Sequence, residues 1–160
     1  MSWTVALVVA AVVFPIALFV GIFRLVAAMR ERAIQKLSEQ GLEKRSGPRR
    51  LHLKLTGYAS KSGWRSGQRS IKPGELVLTT QTLNVVFPMP LPLGGKDLSN
   101  VTAKRTATGL SVETDQPLDA TGRVEVSFDC EDADDWLVRL AARGATTLLG
   151  GHAGRDLGAT

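Results

Sequence analysis

The sequence contains few of the cysteine and histidine residues from which disulfides and many metal centres are built. Its 160 residues include one cysteine, Cys130, and two histidines, His52 and His152, far apart in the chain. One cysteine cannot close a disulfide within the chain, and it rules out zinc sites built on two or four cysteines. We therefore expect no metal, no cofactor and no catalytic residues, and we do not expect an enzyme.

Charged side chains are absent from residues 4–23, and no basic residue precedes them. Twenty residues of helix span about 30 Å, the thickness of the hydrocarbon core of a bilayer. The run is longer than the apolar part of a typical signal peptide, and no clean cleavage site follows it. The pattern predicts a retained transmembrane helix over residues 1–27, with Trp3 at the interface and a kink at Pro15.

Basic residues are concentrated directly after this run. Residues 24–72 contain 13 Lys and Arg against 3 Asp and Glu, whereas residues 73–160 contain 7 against 12. Because basic flanks stay inside, we expect the N-terminus outside and the C-terminal domain in the cytoplasm, at the inner (plasma) membrane. A basic segment beside an apolar run indicates membrane lipids as partners, not nucleic acid. The juxtamembrane basic residues are Arg24, Arg30, Arg32, Lys36, Lys44 and Arg45.

A basic helix and a linker are predicted for residues 28–48. Good helix formers continue past the membrane run, and Gly41 is a candidate C-cap. The helix carries an apolar stripe of Val26, Met29, Ala33 and Leu37. We expect this stripe to rest on the membrane surface or on the protein's own domain, although pairing with a second copy or a partner helix stays open. The linker "EKRSGPRR" has charge, Gly and Pro but no periodicity.

Alternating apolar residues predict a small β domain over residues 49–144. Leu51, Leu53 and Leu55 alternate with polar residues, which is typical of a half-buried strand. Further strands are predicted in "ELVLTTQTLNVVF", "LSNVTAKRTATG", "LSVETD" and "RVEVSFDC". The segment "PMPLPLGG" is predicted to break regular structure, because proline does not fit within a central strand.

An amphipathic helix is predicted in "EDADDWLVRLAARG", after the last of these strands. Asp132 is the expected N-cap, acidic residues follow in the first turn, and Gly144 ends the helix. The apolar stripe that would plug the open end of a bent sheet consists of Trp136, Leu137 and Leu140. Residues 145–160 are rich in glycine and are predicted to form a flexible tail.

A resemblance to a known pattern runs through most of the domain. The stretches "GELVLTTQTLNVVF", "PLPLGGKDLSNVTAKR", "GLSVET" and "GRVEVSFDCEDADDWLVRLAAR" resemble bacterial pleckstrin-homology-like domains, including GRAM-type domains. With "GWRSGQR" after the anchor, the whole chain resembles a family of actinobacterial single-pass membrane proteins of unknown function. The resemblance implies a mainly β fold, an antiparallel barrel or sandwich capped by one C-terminal helix. The function we expect is a non-enzymatic adaptor that binds another membrane or membrane-proximal protein.

A basic loop between the first two long strands is the candidate site. In pleckstrin-homology-like domains the first hairpin loop often binds anionic headgroups, and arginine pairs bidentately with phosphate. The alternative function is therefore anionic-lipid sensing, and the plainer interpretation is a solvated loop with its tryptophan packed on the sheet. The residues that could contact lipid or a partner are Lys61, Trp64, Arg65, Arg69 and Lys72.

The predicted orientation can be tested with reporters fused to the C-terminus. A reporter that is active only in the cytoplasm should be active, and one that is active only outside should be silent, because the basic flank remains inside. Digestion of the domain by protease added to intact cells would contradict the orientation.

Overall fold

The computed structural model describes residues 3–60 and 67–148, which form two helices and nine strands. The helices are α1 (Trp3–Ser38) and α2 (Ala133–Ala142). The strands are β1 (Leu42–Arg45), β2 (Arg49–Ser60), β3 (Gly67–Thr79), β4 (Leu83–Phe87), β5 (Met89–Gly94), β6 (Val101–Arg105), β7 (Gly109–Thr114), β8 (Ala120–Asp129) and β9 (Thr146–Leu148). The predicted class, mainly β with an apolar N-terminal helix and a C-terminal helix, is confirmed.

One continuous helix, α1, joins the apolar segment to the β domain. Its segment Val13–Ser38 is long and apolar enough to cross a membrane, and no other helix in the described part of the chain is. Pro15 lies within α1, and helicity continues past the apolar run as expected. After the helix ends, Gly41 takes a φ of +82°, which glycine adopts without strain and which turns the chain into β1.

The strands form one open, bent sheet in the order β5-β4-β3-β2-β8-β7-β6-β9, with β1 also paired to β3. The long strand β3 belongs to both halves: its beginning pairs with β2, and its end lies between β1 and β4. Gly74 lies where β3 passes from one half to the other, and a Cβ there would come within 2.7 Å of Leu51. We expected a barrel or a sandwich; because the two ends of the strand order do not pair, the sheet is open and is not a closed barrel.

The main core lies between the bent sheet and α2. Every second residue of β2 from Leu51 to Leu55 is buried, as the alternation predicts. The predicted plug is also confirmed, since Trp136, Leu137 and Leu140 are all buried. Phe128 of β8 meets the Trp136 ring edge-on, with the ring centroids 6.4 Å apart.

Three segments that the sequence predicts to be irregular are strands. The linker contributes β1, which pairs with the end of β3, and the expected tail contributes β9, which runs parallel to β6. The proline-rich segment forms β5, so the predicted break there is wrong. β5 is an edge strand that pairs with β4. Pro90 and Pro92 are tolerated there, because the open side of an edge strand needs no N–H donors for the sheet. The rest of the tail lies outside the described residues.

Asp132 has the predicted position at the start of α2 but does not cap the helix with its side chain. Its carboxylate lies 2.7 Å from Nζ of Lys44 instead, because a charged donor competes successfully with the backbone N–H groups. Gly144 follows the helix at a φ of +89°, as expected for the residue that ends it.

Truncation of the plug tests how much the fold depends on α2. Leu140→Ala should lower the free energy of unfolding by about 2–5 kcal/mol, because it leaves a cavity under a fully buried side chain. Val138 on the same helix is 68% exposed, and Val138→Ala should change it by less than about 0.5 kcal/mol. Denaturant unfolding of the detergent-solubilised chain, followed by tryptophan fluorescence, measures both. Equal effects of the two variants would contradict the placement of α2.

Candidate functional site

The C-terminal end of α1 lies on the sheet, on the face opposite the main core. Ile34 and Leu37 are 3% and 7% exposed, and they pack against Val77 of β3 and Val86 of β4, with Ala33 at the margin. We call these five residues the helix seat. Full burial of one such aliphatic side chain is worth about 1.5–3 kcal/mol. The seat therefore holds the β domain close to the end of the apolar segment.

The apolar stripe predicted on this helix divides into two parts. Ala33 and Leu37 rest on the protein's own domain, which was one of the expected outcomes. Val26 and Met29 lie nearer the membrane segment and are 38% and 41% exposed. The stripe thus carries the seat at one end and leaves apolar surface at the other.

A partly buried ion pair lies beside the helix seat. Glu75 of β3 has a fully buried carboxylate, and Arg45 of β1 donates to both of its oxygens, at 2.6 and 3.2 Å. These hydrogen bonds raise the pKa of Arg45 above its ordinary value, against the opposing effect of burial. Removal of Arg45 would leave a buried carboxylate without its partner, which is strongly destabilising. Arg45, predicted as a juxtamembrane basic residue, is thus bound within the domain.

Lys44 is the second juxtamembrane residue that is bound within the domain. Its ammonium group pairs with Asp132 and Asp135 at the start of α2, and lies 5.3 Å from the centre of the Trp136 ring. Burial lowers the pKa of Lys44, but hydrogen bonds to the two carboxylates outweigh burial, so that the pKa is raised. The contact joins β1 to α2.

The other four basic residues lie on α1: Arg24, Arg30 and Arg32 precede the seat, and Lys36 lies within its span, between Ile34 and Leu37. Arg24, Arg32 and Lys36 are exposed. Arg30 is only 14% exposed; its Nη2 lies 3.1 Å from Glu31, and its Nε is buried without a hydrogen-bond partner in the described part of the chain. Among these four basic residues, Arg30 is therefore the one whose side chain is mostly buried.

An apolar groove separates α1 from the sheet on the membrane side of the helix seat. Its volume is about 280 Å³. The groove is lined by Ile22, Phe23, Val26, Ala27 and Arg30 of α1 and by Ile71, Pro73, Phe87 and Pro88 of the sheet. Sequence reasoning missed the groove, because it assigned the proline-rich segment to a break. Apolar residues close to prolines in two separate segments, Ile71 near Pro73 within β3 and Phe87 before Pro88 at the end of β4, were the signal that could have indicated it.

The predicted basic loop is only partly described. Lys61, Trp64 and Arg65 lie outside the described residues, as does the side chain of Lys72, whose backbone is in β3. Arg69 lines a shallow polar depression on the outer face of the sheet. Of the five loop residues, the described part of the chain therefore places only the side chain of Arg69, and contact of the loop with lipid or a partner stays a prediction.

Cys130 follows β8 and lines a cleft with Arg49 and Asp132. Burial and the nearby carboxylate of Asp132 raise the pKa of the Cys130 thiol, although Arg49 and Lys44 act in the opposite direction. The thiolate is the reactive form of cysteine, so the raised pKa makes Cys130 a poor nucleophile at neutral pH.

Comparison with protein-family models, with curated proteins and with solved structures finds no match for this chain. The resemblance to pleckstrin-homology-like and GRAM-type domains therefore stays a prediction. Function has to be inferred from the described residues.

The contact between β1 and α2 predicts a specific pH dependence. Hydrogen bonds from Lys44 and Arg139 lower the pKa of Asp135 below its ordinary value of 3.8. A lowered folded-state pKa stabilises the fold above the unfolded-state value, and the contribution is lost as the pH falls through the folded-state pKa. Asp135→Asn should therefore lower the denaturation midpoint at pH 7, and its difference from wild type should vanish under strongly acidic conditions.

The control for this experiment is Glu131→Gln, which removes a nearby carboxylate outside these ion pairs. It should leave the midpoint unchanged at both pH values. A deficit of Asp135→Asn that is the same at neutral and acidic pH would contradict the assigned ion pair.

Proposed function

We propose that the chain is a single-pass membrane protein whose β domain lies in the cytoplasm, at the inner membrane, and acts as a non-enzymatic adaptor. Two observations support the anchored arrangement: the length and hydropathy of α1, and the burial of its end against β3 and β4. The uneven distribution of basic residues supports the orientation. The proposed activity is binding of a second membrane or membrane-proximal protein.

The observation that carries this proposal is the difference between the two edges of the open sheet. At one edge, β5 contains Pro90 and Pro92, which cannot donate a backbone hydrogen bond to an added strand. At the other edge, β9 pairs only with β6 among the described strands, and each of its three residues has an N–H. An edge of this kind can accept an extended segment of another protein as an additional strand.

Tethering makes a short edge sufficient for such an interaction. β9 has three residues, so an added strand would gain few main-chain hydrogen bonds. A partner in the same membrane meets the domain at a high effective concentration, which compensates for a weak individual contact. The partner proposed here is therefore another protein of the same membrane, or one held close to it.

The ion pairs of α2 support binding over catalysis. Asp132 and Asp135 pair with Lys44, and Asp134 pairs with Arg105. The acidic side chains that would be the natural candidates for acid–base chemistry are thus occupied by basic partners. The thiol of Cys130 also has a raised pKa, which disfavours the reactive thiolate.

Photo-crosslinking in native membranes tests the proposed edge. A photoreactive amino acid at Thr146, which is exposed on β9, should give a discrete adduct that mass spectrometry identifies as one membrane or membrane-proximal protein. The same amino acid at Met89, which is exposed on the proline-containing edge, is the matched control and should not give that adduct. Identical adducts from both positions, or none from Thr146, would refute binding at β9.

Anionic-lipid binding is the second candidate function. The observation that favours it is the groove between α1 and the sheet, which is apolar along its length and has the guanidinium of Arg30 among its lining groups.

A further inference from the structure

We propose that the groove between α1 and the sheet binds one anionic phospholipid, with an acyl chain along the groove and the phosphate at Arg30. The proposal rests on the proposed function in one respect, that α1 spans the membrane. It names a lipid ligand for the membrane side of the domain, away from the edge at β9.

The groove begins inside the uncharged segment of the chain. Ile22 and Phe23 line its start, are exposed, and belong to the last turn of the run that would lie in the hydrocarbon core. Arg30 follows Phe23 by seven helical steps, which corresponds to about 10 Å. Helical side chains lean towards the N-terminus, here towards the apolar segment, which favours a guanidinium nearer the headgroup region than its own Cα. The groove therefore extends from the depth of acyl chains to the depth of phosphates.

The walls of the groove suit an acyl chain. Val26 and Ala27 form the helix side, and Ile71, Pro73 and Phe87 contribute apolar surface from the sheet. None of these side chains offers a hydrogen-bonding group to an occupant. A peptide segment lying there would leave its backbone N–H and C=O groups unpaired, whereas an acyl chain has no such groups.

The phosphate position follows from the unsatisfied guanidinium. Nε of Arg30 is buried and has no hydrogen-bond partner within the described chain. The contact of its Nη2 with Glu31 joins adjacent residues, and the side chain of Glu31 is mostly exposed, so the pair is weak. A phosphate oxygen would satisfy the buried donor, and arginine can hold two such oxygens at once. Phosphatidylcholine would fill the apolar part and carries the same phosphate, but its choline cation offsets the negative charge, so it should neutralise Arg30 less completely than phosphatidylglycerol does.

Native mass spectrometry of the full chain tests this proposal. The protein is reconstituted in nanodiscs that contain equal phosphatidylglycerol and phosphatidylcholine, and then released in a mild detergent. The wild-type chain should retain one phosphatidylglycerol in clear preference to phosphatidylcholine. Arg30→Gln should reduce this retention about tenfold, the scale expected for one charge-assisted contact.

Two further variants separate a built site from general charge attraction. Arg32→Gln removes the same charge two residues away, at a side chain that does not line the groove, and should change retention less than twofold. Ala27→Phe fills the groove and leaves every charge in place, and should reduce retention as strongly as Arg30→Gln. Circular dichroism confirms that each variant keeps its secondary structure.

Three results would overturn the proposal: equal retention of the two lipids by the wild type, equal losses in Arg30→Gln and Arg32→Gln, or full retention by Ala27→Phe. Failure of the chain to enter nanodiscs would overturn the membrane anchor and the lipid site together. Loss of the crosslink at Thr146 with intact lipid retention would remove only the adaptor function, so the two proposals can fail separately.

Discussion

The contact between the end of α1 and the outer face of the sheet determines which surface of the domain lies beside the apolar segment of the helix. Because Ile34 and Leu37 are buried against Val77 and Val86, the paired strands β3 and β4 follow the helix back towards its apolar segment. The beginning of β3 and the end of β4 thereby reach the level of residues 22–27 and form the groove with them. Four aliphatic side chains thus hold the sheet beside the apolar part of α1.

The basic and the acidic halves of the sequence are joined by ion pairs in the folded domain. Lys44 from the basic half pairs with carboxylates of α2, whereas Arg143 from the acidic half holds Glu43 at 3.0 Å. Arg45 neutralises a buried carboxylate of β3. Basic residues just after the helix turn are therefore part of the domain's own packing. Of the basic residues of α1 itself, Arg24, Arg32 and Lys36 are exposed, whereas the side chain of Arg30 is mostly buried.

Predictions from sequence succeeded where local periodicity carries the information. The alternation from Leu51 to Leu55 and the stripe around Trp136 were readable because their repeats match a strand and a helix. They failed at β1, β5 and β9, whose sequences have no such repeat, and each of these strands exists because a neighbouring strand pairs with it. The groove was missed for the same reason, since Ile71 and Phe87 line it only because the fold brings them next to residues of α1 that are distant in sequence.

The sequence by itself determined the long apolar helix, the strands with clean alternation and the amphipathic helix α2. Each depends on residues close together in the chain, through the length of an uncharged run or the period of apolar side chains. Only the tertiary structure decided that the sheet is open, that Lys44 and Arg45 are bound internally, and that Arg30 lies in an apolar groove. These outcomes depend on competition between partners distant in sequence, as when Lys44 and the helix N-terminus compete for Asp132. A local sequence pattern does not indicate which partner is bound.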